Sequence, residues 1–539
     1  MRTYLLSLYL FFSLYPSHAQ ENSFFAAPIK VGTNQIVHPS LIDQTEVFIT
    51  KSPLNEDTFF VACNTLNFNP FFISEGIYVT NNSGANWRGN DTCEGYPIGY
   101  HGGDPGIAID EQGTFVLTRL GQSPFVGLYS HRSTDHGLTW SSQRAISTDD
   151  LERAALLSDC ASGSPWKGRT YAAWATFTQP FPVMFAYTDN GAVNWSTQSQ
   201  VNNPSRRCAG GDLAIGPGGA LYLCWAGVTD VSPFKEVLVG FASSTDGGQS
   251  WNVTENAFPI SGISGAIANK GNIRVNSLPG ITVDTTNGPR RGWIYIATTQ
   301  KDLQPAGSDP DIVLFRSSDG GTTWSSGVRV NQDPLNNGKT QYFPAVHVDP
   351  SGAIDILFYD DRTTTNDSVG VFLARSLDGG DTWIEFEISD HHFKPVPIGG
   401  LGQGYQGDNI DISSNSSTLL PVWMDNSTGK YQIWTVPVRY GDIDAIGDKE
   451  KIIPNGIRKI SPNPFSGITD ITFQVNKASR VSLQLFEVTG KHLLTILDEE
   501  KVAGLHNIRV DLQALAPGIF YCVMNSEEGT STRKIVKVQ

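Results

Sequence analysis

Residues 27–440 predict an all-β fold of repeated four-stranded units, and three observations carry that prediction. First, an eight-residue pattern, Ser-x-Asp-x-Gly-x-Thr-Trp, recurs along the chain, as in "STDHGLTW" (133–140), "SSDGGTTW" (317–324) and "SLDGGDTW" (376–383). Second, each copy follows a short apolar run, such as "VLVGFAS" or "DIVLFRS". Two further runs joined by a turn precede it, as in "PGIAIDEQGTFVLTR" (105–119). Third, the composition has 54 Gly, 28 Phe and 12 Trp against 4 Met. That balance suits strands and tight turns rather than helices.

The repeat sets the order of the elements. Aligned on the acidic position, the copies fall at Asn82, Asp135, Asp189, Asp246, Asp319 and Asp378, in steps of 53, 54, 57, 73 and 59 residues. Asn82 stands in the Asp place of a degenerate copy, "TNNSGANW", and Asp189 is read with one extra residue before Trp195. Runs of four to seven Val, Ile, Leu and aromatic residues, punctuated by Gly, Asp and Pro, are strands with turns. The unit is therefore four antiparallel strands, with the motif as the turn between third and fourth. Such units in series form a β-propeller. First-and-second-strand pairs begin near Pro39, Asp104, Ala155, Asp212, Pro279, Pro344 and Asp408. They favour seven blades, with six plus an appended hairpin as the alternative. The last unit lacks a fourth strand, while "APIKVGTNQ" (27–35) resembles the fourth strand in "SGVRVNQ". The N-terminal segment is thus expected to complete the last blade and remove its open edge.

The repeated residues suit a structural role. Asp and Ser/Thr side chains bond turn amides, Gly supplies positive φ, and Trp buries area between blades. Chain direction alternates within a blade, so these turns share a face with the first-to-second turns. The opposite face carries the segments before first strands and after second strands. On it the sequence places His38, His101, Asp104, Arg206, Arg207, Asp212, Tyr405 and Asp408, together with Arg119, Asp302, Asp360, Asp361, Arg362 and Asp425. Asp104, Asp212 and Asp408 follow similar glycine-rich stretches ("GGDPGIAI", "GGDLAI", "QGDNIDI") and are expected to occupy matching places. Converging carboxylates would raise at least one pKa above the ~3.9 of a free Asp. For any single Asp, capping of its own strand is the preferred reading.

The motif resembles the Asp box, or bacterial neuraminidase repeat, of sialidase-type propellers, and the resemblance covers residues 27–440. It implies a functional face opposite the boxes, an arginine clamp for a sugar carboxylate, an Asp acid and a Tyr–Glu nucleophile pair, an exception to the two-carboxylate rule. Val37, in "VHPSL", stands where the resemblance requires the first arginine. Arg119 and Arg362 are the candidates for the other two, and Tyr405 for the nucleophile. No glutamate pairs with Tyr405 from the sequence. The candidate site residues are therefore Asp104, Asp212, Asp361, Arg362, Tyr405 and Asp408, with neither cofactor nor metal. Two functions follow: a propeller that binds glycan or protein ligands outside the cell, which is preferred, or a glycoside hydrolase of altered specificity.

The remainder fixes compartment and domains. Hydrophobic residues make up 39% and charged residues 17% of 539, enough for two folded domains. A net charge of −15 argues against a nucleic-acid partner. "MRTYLLSLYLFFSLYPSHAQ" reads as a signal peptide over residues 1–19, and no later run reaches the ~18 apolar residues of a membrane span. An exported chain allows disulfides among Cys63, Cys93, Cys160, Cys208, Cys224 and Cys522. The expected domains are a propeller over 20–440, a charged linker over 441–457 and a small β-sandwich over 458–539. That last segment resembles the C-terminal sorting domain of type IX secretion substrates through Pro462-Asn463-Pro464-Phe465, Thr489-Gly490-Lys491, Ala516-Pro517-Gly518 with Tyr521, and the basic end from Lys534 to Lys537. The secretion machinery is its implied partner.

Overall fold

The structure, a computed structural model, describes residues 32–68, 71–93, 101–365, 367–443, 455–527 and 529–538. The signal-peptide reading of 1–19 and most of the linker lie outside those residues. Contacts divide the chain into two compact units, one ending at Tyr440 and one beginning at Gly441.

Seven of the antiparallel sheets in the first unit are blades that follow one another along the chain. Six are four-stranded and run from inner to outer strand in sequence order. Blade 1 starts at Asp43–Lys51, blade 2 at His101–Ile109, blade 3 at Ala155–Ser158, blade 4 at Cys208–Ile215, blade 5 at Gly280–Val283 and blade 6 at Gln341–Val348. Blade 7 takes its first three strands from Asp411–Ser414, Thr418–Asp425 and Gln432–Thr435, and its outer strand from Gln35–Ile36. Gln35 lies opposite Thr435 and Ile36 opposite Trp434, so the N-terminal segment completes the ring. The count is seven blades.

Second strands read as continuous apolar runs because both of their faces are covered by neighbouring blades. The Phe59–Phe68 strand is buried over its first eight residues. The core is accordingly split into seams. Phe60, Ala62, Ile77 and Val79 of blade 1 meet Ile107, Ile109, Phe115 and Leu117 of blade 2. Val239 and Phe241 of blade 4 likewise meet Ile294, Ile296 and Val313 of blade 5.

The repeated turns share one set of hydrogen bonds. In blade 5 the Ser317 hydroxyl donates to Asp319 at 2.8 Å, and Asp319 accepts from the Thr323 amide at 2.9 Å and hydroxyl at 2.6 Å. Asp135, Asp246 and Asp378 accept equivalent bonds. Asn82 does the same through Oδ1, taking the Asn86 amide at 2.9 Å. Blade 3 corrects the alignment: Asn190, not Asp189, accepts the Asn194 amide at 3.0 Å. With Asn190 in the acidic place no extra residue precedes Trp195. Asp189 is free to take a bidentate pair from Arg169 at 2.7 and 3.0 Å. Three of the tryptophans illustrate how the motif reaches back to the preceding blade. Trp324 stands edge-on to Phe241 at 5.2 Å, Trp251 edge-on to Phe185 at 5.1 Å, and Trp195 donates to Ser130 at 2.8 Å.

Cys63, Cys208 and Cys224 are buried free thiols on separate strands, and Cys160 is free and half-buried. One element was not anticipated. A hairpin, Gly265–Ile267 with Ile273–Val275, is inserted between blades 4 and 5.

The second unit is two sheets, one of Gly456–Ser461, Ile468–Val475 and Gly504–Asp511, the other of Ser479–Glu487, His492–Lys501, Gly518–Ser526 and Gly529–Lys537. Alternate residues Ile471, Phe473 and Val475 of one sheet and Val481, Leu483 and Leu485 of the other are buried in a common core with Cys522 and Ile535.

Candidate functional site

The inner strands of blades 1, 2, 4 and 6 carry a β-bulge at one register position. Pairing breaks between Thr45 and Phe48, Gly103 and Gly106, Ala209 and Asp212, and Tyr342 and Ala345. The first unpaired residue in each is Glu46, Asp104, Gly210 and Phe343, all left-handed with φ of 53°, 56°, 66° and 55°. Bulges re-aim a side chain out of the ladder. Here they deliver two carboxylates, Glu46 and Asp104, from adjacent blades.

This register separates the three glycine-led aspartates. Asp104 sits on the bulge. Asp212 lies two places further along its strand, opposite Cys224. It accepts the Ile281 amide of blade 5 at 3.0 Å and thereby joins two inner strands. Its counterpart in blade 7 is Asp411, which accepts the Ile49 amide of blade 1 at 2.9 Å. Asp408 precedes the inner strand of blade 7 and is held by Arg274 of the inserted hairpin, with Nε 3.1 Å from Oδ1 and a second, shorter contact through Nη2.

Around Asp104 lies a compact ionisable cluster. The Asn64 side chain donates to Asp104 at 3.3 Å and accepts the Asp104 amide at 2.6 Å. Asn64 also donates to the Tyr405 hydroxyl at 3.2 Å, which bonds Thr45 Oγ1 at 2.9 Å. Glu46 lines the same cavity as Tyr405 and Asp104. Arg274 covers the Tyr405 ring at 5.1 Å. Burial drives Glu46 well above the usual carboxylate range, with the charges of Asp104 and Asp408 adding to it. Burial also raises Asp104, while the Asn64 bond and the Arg153 charge pull it back. The Tyr405 hydroxyl is pushed up by burial and by Glu46.

Glu152 and Arg153, just before the inner strand of blade 3, complete the cluster. Burial, reinforced by Asp104 and Asp408, pushes Glu152 up to about 7. Among the described residues its carboxyl has no hydrogen-bond partner. The Arg153 guanidinium lies over Phe48 at 4.3 Å. Asp104, Arg274 and Tyr405 line a pocket of about 350 Å³ together with Asn64, Gln122 and Gln403. A larger cavity of about 1020 Å³ shares Asp104, Arg274 and Tyr405 with it and is lined by Glu46, Glu152, Arg153, Asp212 and Asp411.

Other expected residues are elsewhere. Arg119 is fully buried and spends its guanidinium on His131, Gln143 and the Leu120 carbonyl. Arg362 is bound by Glu385 through two bonds of 2.6 and 2.9 Å and by Asp360 at 2.7 Å. Neither guanidinium is available to clamp a ligand. Asp361 is paired at 2.5 Å with Lys270 of the hairpin, both side chains being 0% exposed. Val37 is buried, and its amide bonds the Ile433 carbonyl at 2.8 Å. The cations at the pocket are instead Arg153 and Arg274.

Glu46, Glu152, Arg153 and Arg274 were not among the residues singled out from the sequence. Glu152 and Arg153 carried a signal, since they stand immediately before an inner strand. Glu46 carried none: it meets Tyr405 across 359 positions of chain.

The first unit is thus a seven-bladed propeller with an ionisable pocket on the face away from its repeated turns. A family described as "Secretion system C-terminal sorting domain" matches residues 459–538. The tail is therefore a type IX sorting domain, and the protein is secreted or held at the outer-membrane surface. No helix among the described residues is long and apolar enough to cross a membrane. No curated protein matches the chain. Among solved structures, a protein of unknown function from Dyadobacter fermentans is 12% identical over 76% of this chain and 98% of its own, with a TM-score of 0.43. A PL25 ulvan lyase is 11% identical over 78% and 99%, with a TM-score of 0.48. The intramolecular trans-sialidase from Ruminococcus gnavus is 10% identical over 58% and 89%, with a TM-score of 0.39. Identities this low give no residue-by-residue correspondence with this chain.

Proposed function

We propose that the propeller processes a glycan outside the cell by glycoside cleavage at the pocket. The observation that carries this is Tyr405 and Glu46 lining one cavity, with a second acid, Glu152, lining it too. A phenol is a poor nucleophile until a base takes its proton, and a carboxyl held above the usual carboxylate range is a stronger base than a free one. The Asp104 charge adds to burial in raising Glu46, which strengthens Glu46 as that base. In the cleavage step the Tyr405 oxygen bonds the anomeric carbon as its proton passes to Glu46. The glycosidic C–O bond breaks, and the leaving oxygen takes the Glu152 proton. Water then displaces the tyrosyl group, with Glu152 as base and Glu46 returning the proton to Tyr405. Arg274 holds Asp408 and the Tyr405 ring in place, and Arg153 offsets the carboxylate charge.

A second reading, recognition of a glycan without turnover, is supported by burial: Tyr405 and Glu46 are each 6% exposed. One experiment separates the two. The full chain is incubated with a panel of polysaccharides and aryl glycosides, and reducing ends or aglycone release are measured beside a glycan-array readout. Cleavage is expected, with Tyr405→Phe and Glu152→Gln each lowering kcat at least ~100-fold, the usual scale for a proton-transfer residue. Array binding with no turnover on any substrate establishes the second reading.

A further inference from the structure

Arg207 stands on the functional rim, one residue before the inner strand of blade 4, in an unusual setting. Its guanidinium carbon lies 4.9 Å from the Phe177 ring centre, 5.1 Å from Phe181 and 4.7 Å from Phe234. Phe177 and Phe181 come from the connection after the second strand of blade 3, and Phe234 from the equivalent connection of blade 4. Three rings therefore surround the cation. Yet among the described residues no carboxylate or carbonyl accepts from it. The contrast within the same propeller is sharp: Arg119, Arg169, Arg274, Arg329, Arg362 and Arg375 all spend their donors on protein acceptors. Lys235, on the loop that carries Phe234, and the exposed Arg206 also lack an ion pair among the described residues. Phe234 is 38% exposed, so part of the aromatic surface faces solvent. This basic, aromatic patch belongs to a chain of net charge −15.

We propose that Arg207 and its three phenylalanines form an accessory subsite for an acidic sugar of a polysaccharide, gripping a uronate carboxylate or a sulfate ester. Cation–π contacts hold a guanidinium in orientation while leaving its in-plane N–H fork open. That fork matches the two oxygens of a carboxylate or sulfate, and charge-assisted bidentate bonds are the strong ones. The exposed ring surface suits the C–H face of a sugar. The subsite adjoins the cavity, since the Phe177 amide donates to the Asp150 carbonyl at 2.9 Å, two residues before the cavity-lining Glu152. An acidic polysaccharide gripped at Arg207 extends toward Glu152 and Tyr405. The inference rests on the glycan-processing reading of the pocket and adds its substrate class.

The test is affinity electrophoresis of the full chain in gels containing alginate (uronate), ι-carrageenan (sulfate), laminarin (neutral) or polyglutamate. Retardation at least tenfold stronger in alginate or carrageenan than in laminarin is expected. It should be weakened at least tenfold by Arg207→Gln and relieved by added salt. The gel that retards identifies the anionic group. Arg206→Gln/Lys235→Gln, at surface positions, should weaken retardation at least threefold and serves if Arg207→Gln does not fold. Equal retardation by laminarin, retardation by polyglutamate alone, or no retardation in any gel overturns the proposal. So does an Arg207→Gln variant that melts lower but binds as well, because the cage is then only a seam between two loops. Tyr405→Phe keeps the two questions apart. It should leave retardation intact, so retardation without turnover defeats only the cleavage reading. Turnover of neutral glycans without retardation defeats only the subsite.

Discussion

Lys270→Met is the sharpest test of how the inserted hairpin is anchored. The ammonium lies 2.5 Å from Asp361 Oδ2, and neither side chain is exposed, so solvent screening gives no discount. In the variant Asp361 keeps one strong bond, from the Thr340 amide to Oδ1 at 2.7 Å, and loses its counter-charge. Removing one partner of a buried pair costs about 3–5 kcal/mol, because the other charge is left desolvated and uncompensated. The loss has a ceiling. If the hairpin swings away, water reaches Asp361 and the cost becomes that of undocking. Undocking also breaks the Arg274 amide bond to the Gly404 carbonyl at 2.7 Å and the Arg274 grip on Asp408. Urea melts and limited proteolysis at 265–275 read the two routes. A stability loss of about 3–5 kcal/mol, or faster cleavage within the hairpin, is expected. Lys270→Met/Asp361→Leu should recover most of either effect, since an apolar pair of similar size replaces a buried ion pair at little cost. A loss below about 1 kcal/mol together with unchanged proteolysis would refute the reasoning.

Three further outcomes follow from the same structure. Removing the chain through Ile36 strips the outer strand from blade 7 and exposes the Gln432–Thr435 edge, so aggregation is expected by light scattering; a monodisperse folded product would show that closure does not depend on that strand. Asp411→Ala and Asp212→Ala each leave amides of two inner strands without an acceptor, at about 1–3 kcal/mol apiece by urea melt. Because they serve different seams their effects should add, and strong non-additivity would argue against independent seams. His391 is pulled up to about 9 by its bond to Asp425 and, after burial opposes it, by its bond to Asp390. Folding thus favours its protonated form: that stability is complete below the ~6.5 of an unfolded histidine and disappears as pH rises through 9. The drop in Tm from pH 7 to 10 should shrink in His391→Gln, and an unchanged drop would assign it to other groups.

The ring was legible because its signals are local. Turn chemistry fixes where each third strand ends, and apolar runs of strand length fix the others. The closing strand was visible because "KVGTNQ" repeats the pattern of "RVNQ" in a blade that has its own outer strand. The one misplaced turn, Asp189 for Asn190, shows the limit of reading the acidic position by charge. The turn needs an acceptor oxygen two residues after a hydroxyl, and asparagine supplies it as well as aspartate. The inserted hairpin was illegible for a different reason. Its two strands are of three residues each, and it is held by Lys270 and Arg274 to partners 91 and 134 positions away.

The pocket was half legible, and its bulges explain which half. A bulge needs a residue that tolerates positive φ, and the sequence announces that where glycine leads, as in Gly102-Gly103-Asp104 and Gly210-Gly211. It announces nothing in Gln44-Thr45-Glu46-Val47, where a glutamate is held at φ 53°. A left-handed glutamate is strained, and such strain persists only when its surroundings over-determine it. Here they do. The Glu46 amide faces the Met424 sulfur at 3.5 Å, and the side chain lines the cavity with Tyr405 and Asp104. Two blades that show no common residue at this position in sequence therefore share it in space. A glycine at 46 would ease the backbone and leave Tyr405 without the proton acceptor proposed for it, so the strain and the proposed chemistry stand on the same residue.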